Sequence, residues 1–324
     1  MSTPAVLGAL LLSAALPQTH AANAAQEASE SNIVAGRADA YDRLTVPVRI
    51  GDHGPFRFVI DTGAQNTVIS TALAQQLALV PSATATVVSM AGQRQANTVE
   101  IDQIDLGRRS YYGITAPLLD AENIGADGIV GLDSLQGQRV LIDFTRNLMA
   151  IGDARTLGGD KGFEIVVTAR RRSGQLIITN AMVDGVYTSV VIDTGADSTV
   201  ANRALQRALA QKHPTTRALL TSVTGQQIVA DVGLAGRIAF GRIQINNVLL
   251  AYADAPPFTV LDLEKKPAIL LGMRDLRGFK RVAIDFAKRK ILFDVPFHVN
   301  NLPENLRAMT EGYDPDSGVN ARSY

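Results

Sequence analysis

The chain has no cysteine and no tryptophan. Without thiols there is no disulfide framework, no thiolate-bound zinc, no cysteine nucleophile and no lipoprotein-type cysteine anchor. Histidine is scarce: His20, His53, His213 and His298 are scattered, and none forms a His-x-x-x-His pair. No Gly-x-Ser-x-Gly turn is present. Metal hydrolysis and serine–histidine catalysis therefore lack their usual parts, and no metal or other cofactor is expected. Excess charge of either sign is missing too, because 31 Lys and Arg balance 31 Asp and Glu. That removes the basic footprint expected of a nucleic-acid binder or of a protein held to an acidic membrane surface. No apolar run is long enough to span a bilayer, so stable membrane insertion is not expected. Ala5–Leu16 has about the length of a signal-peptide apolar region, and small residues follow at Ala21–Ala25. Met1–Pro4 carries no Lys or Arg, so only the terminal amine supplies positive charge there. Residues 1–25 are read as a signal peptide, which implies a periplasmic or secreted protein.

What the chain does have is apolar content, 46% over 324 residues, enough for one large domain or two smaller ones. Val- and Ile-rich runs bounded by Gly, Asp or Asn predict strands at 45–50, 56–60, 140–142, 165–168, 176–179, 190–192 and 283–285. Helical periodicity is sparse. It is clearest at Thr71–Leu79 and Asn202–Gln211, each about ten residues after an aspartate.

Those aspartates sit in a repeat. Residues 59–69 read VIDTGAQNTVI and residues 191–201 read VIDTGADSTVA. Upstream, Val48–Asp61 parallels Asn180–Asp193, each a strand, a Gly-containing turn and a strand into the aspartate. In the middle, Ser89-Met-Ala-Gly-Gln93 parallels Ser222-Val-Thr-Gly-Gln226, and composition predicts a hairpin tip at each. Downstream, Gly131–Gly137 aligns without gaps to Gly272–Gly278, and Val140–Phe144 (VLIDF) parallels Val282–Phe286 (VAIDF). A unit of domain size thus occurs twice. The join is placed at Gly152–Gly162, where glycines cluster. The expected layout is signal peptide 1–25, linker 26–42, N-terminal lobe 43–155, C-terminal lobe 156–300 and tail 301–324.

The doubled Asp-Thr-Gly-Ala, each followed later by two apolar residues and a glycine, resembles the aspartic proteases. The context at Asp193-Thr-Gly-Ala-Asp-Ser-Thr-Val200 is more similar to the retropepsin branch, as if two half-enzymes were fused in one chain. The resemblance implies a mostly β, bilobal acid-protease fold, with two pseudo-symmetric β-barrel-like lobes around one cleft. It implies a monomer with lobes paired within the chain, a peptide or protein substrate, and Asp61 and Asp193 as the catalytic pair. Thr62 and Thr194 would lock the two loops together. Gly63 and Gly195 would let backbone approach the carboxylates, and Gly131 and Gly272 would pack beneath the loops carrying Ala64 and Ala196. Gly92, Gln93, Gly225, Gln226 and Asp197 are candidate substrate contacts, although glutamines at hairpin tips are also ordinary solvated turn residues.

The chemistry fits these residue types. Hydrolysing an amide without a metal needs an activated water and a proton donor. Two neighbouring carboxylates cannot both ionise easily, so they share one proton and supply both roles. The sequence departs from the pepsin pattern at Ala64 and Ala196, where a hydroxyl would hydrogen-bond a catalytic carboxylate. Loss of a donor to an anion raises its pKa. A mildly acidic optimum follows, on the order of pH 4.5–6.5, above that of a dyad titrating near 1.5 and 4.7. No tyrosine lies in 86–98, where a pepsin-type flap would carry one. The retropepsin Asp–Arg pair has counterparts in Asp197 and, one place late, Arg274; the first repeat has Gln65 and Asp133 instead. Asp143 and Asp285 read as structural carboxylates, and Arg170–Arg172 as a solvated loop. Two other readings use similar features. An actin- or hexokinase-like phosphotransferase also has duplicated Asp-x-Gly loops but needs longer, more helical halves. A catalytically silent, protease-like peptide-binding protein would keep the cleft without turnover.

Overall fold

The computed structural model describes residues 33–34, 37–38, 44–107, 109–209 and 215–295. The expected signal peptide and the 301–324 tail lie outside the described residues. Two short strands, β1 (Ile33–Val34) and β2 (Arg37–Ala38), fall within the stretch read as linker.

The first lobe contains β3 (Leu44–Ile50), β4 (His53–Ile60), β5 (Val68–Ser70), β6 (Pro81–Ser89), β7 (Gly92–Leu106), β8 (Arg109–Leu119) and β9 (Gly128–Val130). Strands β3, β4, β9, β5, β8 and β7 pair in that order, and β7 pairs back onto β3, so the ring closes. Closure leaves no free edge within the ring. Strand β6 stays outside it, as the free arm of a long hairpin with β7. Next come β10 (Arg139–Asp143) and β11 (Leu148–Gly152), then β12 (Ile165–Thr168) and β13 (Arg170–Arg172).

The second lobe repeats the plan. Its strands are β14 (Gln175–Val183), β15 (Val186–Ile192), β16 (Val200–Ala201), β17 (Thr215–Thr221), β18 (Gln227–Phe240), β19 (Ile243–Tyr252) and β20 (Ala268–Leu271). The ring β14-β15-β20-β16-β19-β18 closes through β18 onto β14, with β17 as the outer hairpin arm. The fold is mostly β and bilobal, with two barrel-like lobes, as the sequence predicts. The triple-arginine stretch is an exposed edge strand rather than a loop. Arg171 donates to Gln136 at 3.2 Å, and Arg172 donates to the Leu261 carbonyl and to Asp262.

A third sheet joins the lobes. Strands β21 (Arg281–Asp285) and β22 (Lys290–Asp294) complete the order β1-β11-β10-β21-β22-β12. The two matching segments, VLIDF and VAIDF, pair antiparallel with each other, Leu141 opposite Ala283 and Arg139 opposite Asp285. The repeat is therefore continued in space as an approximate two-fold across this sheet.

Helices are short. Helix α1 (Thr71–Gln76) starts where Ser70 accepts from the Leu73 N–H, and it stops before Ala78, whose φ is +53°. That left-handed residue ends the helix earlier than the apolar period predicts. Helices α2 (Ala121–Ile124) and α3 (Leu132–Leu135) follow; in lobe 2, α4 (Arg203–Leu209) is capped by Asn202 Oδ1 accepting from Leu205 N at 3.0 Å. The expected end at Gln211 lies outside the described residues. Helices α5 (Pro256–Val260) and α6 (Met273–Leu276) complete the set described.

Arg139 is the polar anchor of the joining sheet. Its side chain is 0% exposed and donates to Asp285, itself 1% exposed, at 2.8 Å. It also reaches Asp160 at 2.6 Å and the Gly159 carbonyl, so the glycine-rich join is pinned beneath the lobe contact. Asp285 takes a further backbone bond from Lys288, and Asp143 accepts from Thr145 and Arg146. Both aspartates are structural, as their place in the repeat implies. Breaking a buried pair by removing one partner leaves an uncompensated charge in low dielectric. Arg139→Met is expected to lower unfolding stability by about 3–5 kcal/mol, and Arg139→Met with Asp285→Leu to recover most of it. Denaturant midpoints at constant slope measure both.

Candidate active site

Each Asp-Thr-Gly-Ala loop begins where a strand leaves its parallel partner. Strand β4 runs parallel to β9, and Asp61 N continues the ladder to the Val130 carbonyl at 3.1 Å. Strand β15 runs parallel to β20, and Asp193 N bonds the Leu271 carbonyl at 3.0 Å. The last pleat thus aims both carboxyls at the lobe boundary.

Each carboxylate is held by its own loop. Asp61 Oδ1 accepts from Gly63 N at 2.7 Å and Ala64 N at 3.0 Å. Asp193 Oδ1 accepts from Gly195 N at 3.0 Å and Ala196 N at 3.1 Å. Each glycine also packs on the opposite carboxyl. A Cβ on Gly63 would lie 2.8 Å from Asp193 Oδ1, and one on Gly195 would overlap the Asp61 carboxyl. Only glycine permits that approach.

The threonines cross over. Thr62 Oγ1 donates to the Ile192 carbonyl at 2.8 Å, and Thr194 Oγ1 donates to the Ile60 carbonyl at 2.7 Å. Each hydroxyl also accepts from the other's backbone N–H, at 3.0 and 3.2 Å. This is the lock that the resemblance implies.

A second support escaped the sequence reading. Thr67 and Thr199 each stand six residues after an aspartate. Thr67 Oγ1 accepts from Gly131 N at 3.2 Å and donates to Asp133 at 2.7 Å. Thr199 Oγ1 accepts from Gly272 N at 3.1 Å and donates to Asp275. Their identical position in both repeats was the available signal. Gly131 and Gly272 pack on the loop backbone, where a Cβ would come 2.4 Å from Asn66 C or 2.7 Å from Ser198 C. The gapless alignment hides one functional shift: Asp133, opposite Arg274 in sequence, does the work of Asp275. Asp197 instead pairs with Arg274 at 2.9 Å, and both are half exposed.

Two family models match the chain in tandem, gag-polyprotein aspartyl protease over residues 46–137 and aspartyl protease over residues 179–274. The chain belongs to the retropepsin-like aspartic protease family. No curated protein matches it.

The cleft of this aspartic protease is a cavity of about 660 Å³ lined by Asp61 and Asp193. Lobe 1 contributes Val68, Pro117 and Ile129, and lobe 2 contributes Val191, Val200 and Leu270. Both hairpins close over it, through Ala85–Met90 and Leu219–Val223. They also touch each other: Ser89 Oγ donates to Ser222 Oγ at 3.2 Å, and Arg94 donates to the Thr224 carbonyl at 3.1 Å. Gln226 Nε2 reaches the Gln93 carbonyl at 3.3 Å, and its side chain lies against Gly92. Gly225, at φ +77°, turns the second hairpin beside Asn123 of α2. Gly92, Gln93, Gly225 and Gln226 therefore sit where the hairpins meet, and the segments before them line the cavity. Asp197 lines it directly. Among the described residues, no helix is long and apolar enough to cross a membrane.

Burial raises the Asp193 pKa from 3.8 to about 7, and the Asp61 charge adds to the rise; its backbone donors oppose it. Between those values the folded chain keeps a proton that the unfolded chain has lost. Stability from this group is complete below about pH 4 and fades as pH rises through about 7. Asp193→Asn removes the titration. Its melting temperature should rise relative to wild type from pH 4 to pH 8, as followed by circular dichroism.

Proposed function

We propose that this protein is an aspartic endopeptidase in which Asp61 and Asp193 share one proton and activate a water between them. The observation that carries the reading is their juxtaposition: each carboxylate is held by two backbone N–H groups of its own loop and covered by the glycine of the other. Burial favours the proton on Asp193, which leaves Asp61 to take a proton from the attacking water. The water oxygen bonds to the scissile carbonyl carbon while the protonated carboxyl gives its proton to the carbonyl oxygen. A proton then passes to the amide nitrogen, the C–N bond breaks, and the dyad regains its single proton. The titration belongs to the pair.

The apolar walls on both sides of the dyad favour extended peptides with apolar side chains flanking the cut. One chain supplies both halves of the site, which supports an active monomer. The apolar Ala5–Leu16 segment supports export to the periplasm or beyond. A silent peptide-binding protein would not need two aspartates brought face to face in the cleft.

Asp61→Asn or Asp193→Asn alone should lower kcat/KM on a fluorogenic apolar peptide by at least about 10³-fold, with chelators without effect. Substantial turnover in either variant rejects the dyad. The dyad loses its last proton as pH rises through about 7, so activity should fall there on the alkaline side. A limb that sets in below pH 5 contradicts the assignment.

A further inference from the structure

Gln175 reaches from lobe 2 to the Asp-Thr-Gly loop of lobe 1. It opens β14 of lobe 2, is 5% exposed, and lines the cleft with Asp61, Gly63 and Asp193. Its Nε2 donates across the lobe boundary to the Gly63 carbonyl at 2.6 Å. That bond fixes the amide orientation, because a carbonyl oxygen offers no hydrogen and a flipped Gln175 would set oxygen against oxygen. Gln175 Oε1 is left as a buried acceptor with no donor. Gly174 packs against Leu132, and its carbonyl accepts from Gln136 of lobe 1.

A buried acceptor without a donor is destabilising, so a ligand that brings a donor is favoured there. An extended peptide brings one N–H per residue. We propose that Gln175 Oε1 accepts a backbone N–H of the bound peptide on the Gly63 side of the dyad, so that lobe 2 reads substrate backbone next to the lobe 1 loop. The inference rests on the peptidase reading above, but its test is binding and not turnover. Amide recognition here is independent of side-chain identity. It sets where the peptide sits relative to Asp61.

The test uses a hexapeptide with apolar side chains on both sides of a hydroxyethylene isostere, and copies in which one backbone N–H at a time is replaced by an ester oxygen. Each is titrated by calorimetry into wild type, Gln175→Met and Gln175→Asn, after thermal melts confirm that the variants fold. One ester copy should bind wild type about five- to tenfold more weakly than the parent, the size expected of one hydrogen bond. The same copy should lose less than about twofold in Gln175→Met, and likewise in Gln175→Asn, whose shorter side chain cannot reach. Equal losses in all three proteins, no loss at any position in wild type, or no binding of the parent peptide overturns the proposal. If the coupling is found while wild type cleaves no peptide, the peptidase reading fails and the Gln175 contact stands.

Discussion

The crossed threonines are the constraint on which the rest depends. Each hydroxyl donates to the last carbonyl of the other lobe's strand and accepts from the other lobe's backbone. All of these atoms are buried, and none finds this partner inside its own lobe. Separating the lobes would exchange each of these bonds for one to water, at a net loss of about 0.5–1.5 kcal/mol per bond. The lobe boundary is thereby set to one geometry, and the two glycines can approach the opposing carboxyls only in that geometry. The joining sheet and its Arg139–Asp285 pair reinforce the contact at a distance from the cleft.

That geometry creates the electrostatics. A carboxylate in a closed cleft meets a desolvation cost, and its neighbour's charge adds to it. Two backbone donors per aspartate offset part of this, yet the Asp193 pKa stays raised, at about 7. Asp193 therefore keeps a proton that the unfolded chain has lost, and stability falls as pH rises from about 4 to about 7. The hairpins complete the enclosure. They meet through hydroxyl contacts of Ser89 with Ser222 and Thr224.

Much of this was legible in the sequence. Hydrophobic runs ending in Asp-Thr-Gly-Ala mark strands that deliver a loop to an interface, and their repetition gives the bilobal plan. Asp61, Asp193 and the glycines follow because close backbone approach leaves a strict residue requirement. The joining sheet was visible only as two similar segments, since nothing in a single segment says that it pairs with its own copy. Gln175 was not legible, because its role depends on Gly63, which is far away in the chain. The Asp133/Asp275 exchange was hidden because a side chain can reach the same threonine from adjacent helical positions. The glutamines at the hairpin tips were ambiguous for a related reason: tip composition specifies the turn, while the contact between tips depends on how the lobes are set.

Two repeats of one chain line one cleft. The most direct measurement is the stoichiometry of a statine-type transition-state mimic bound to purified protein, by calorimetry with light scattering on the same sample. One mimic per chain, bound to a monomer, is expected. One mimic per two chains, or two per chain, would contradict it.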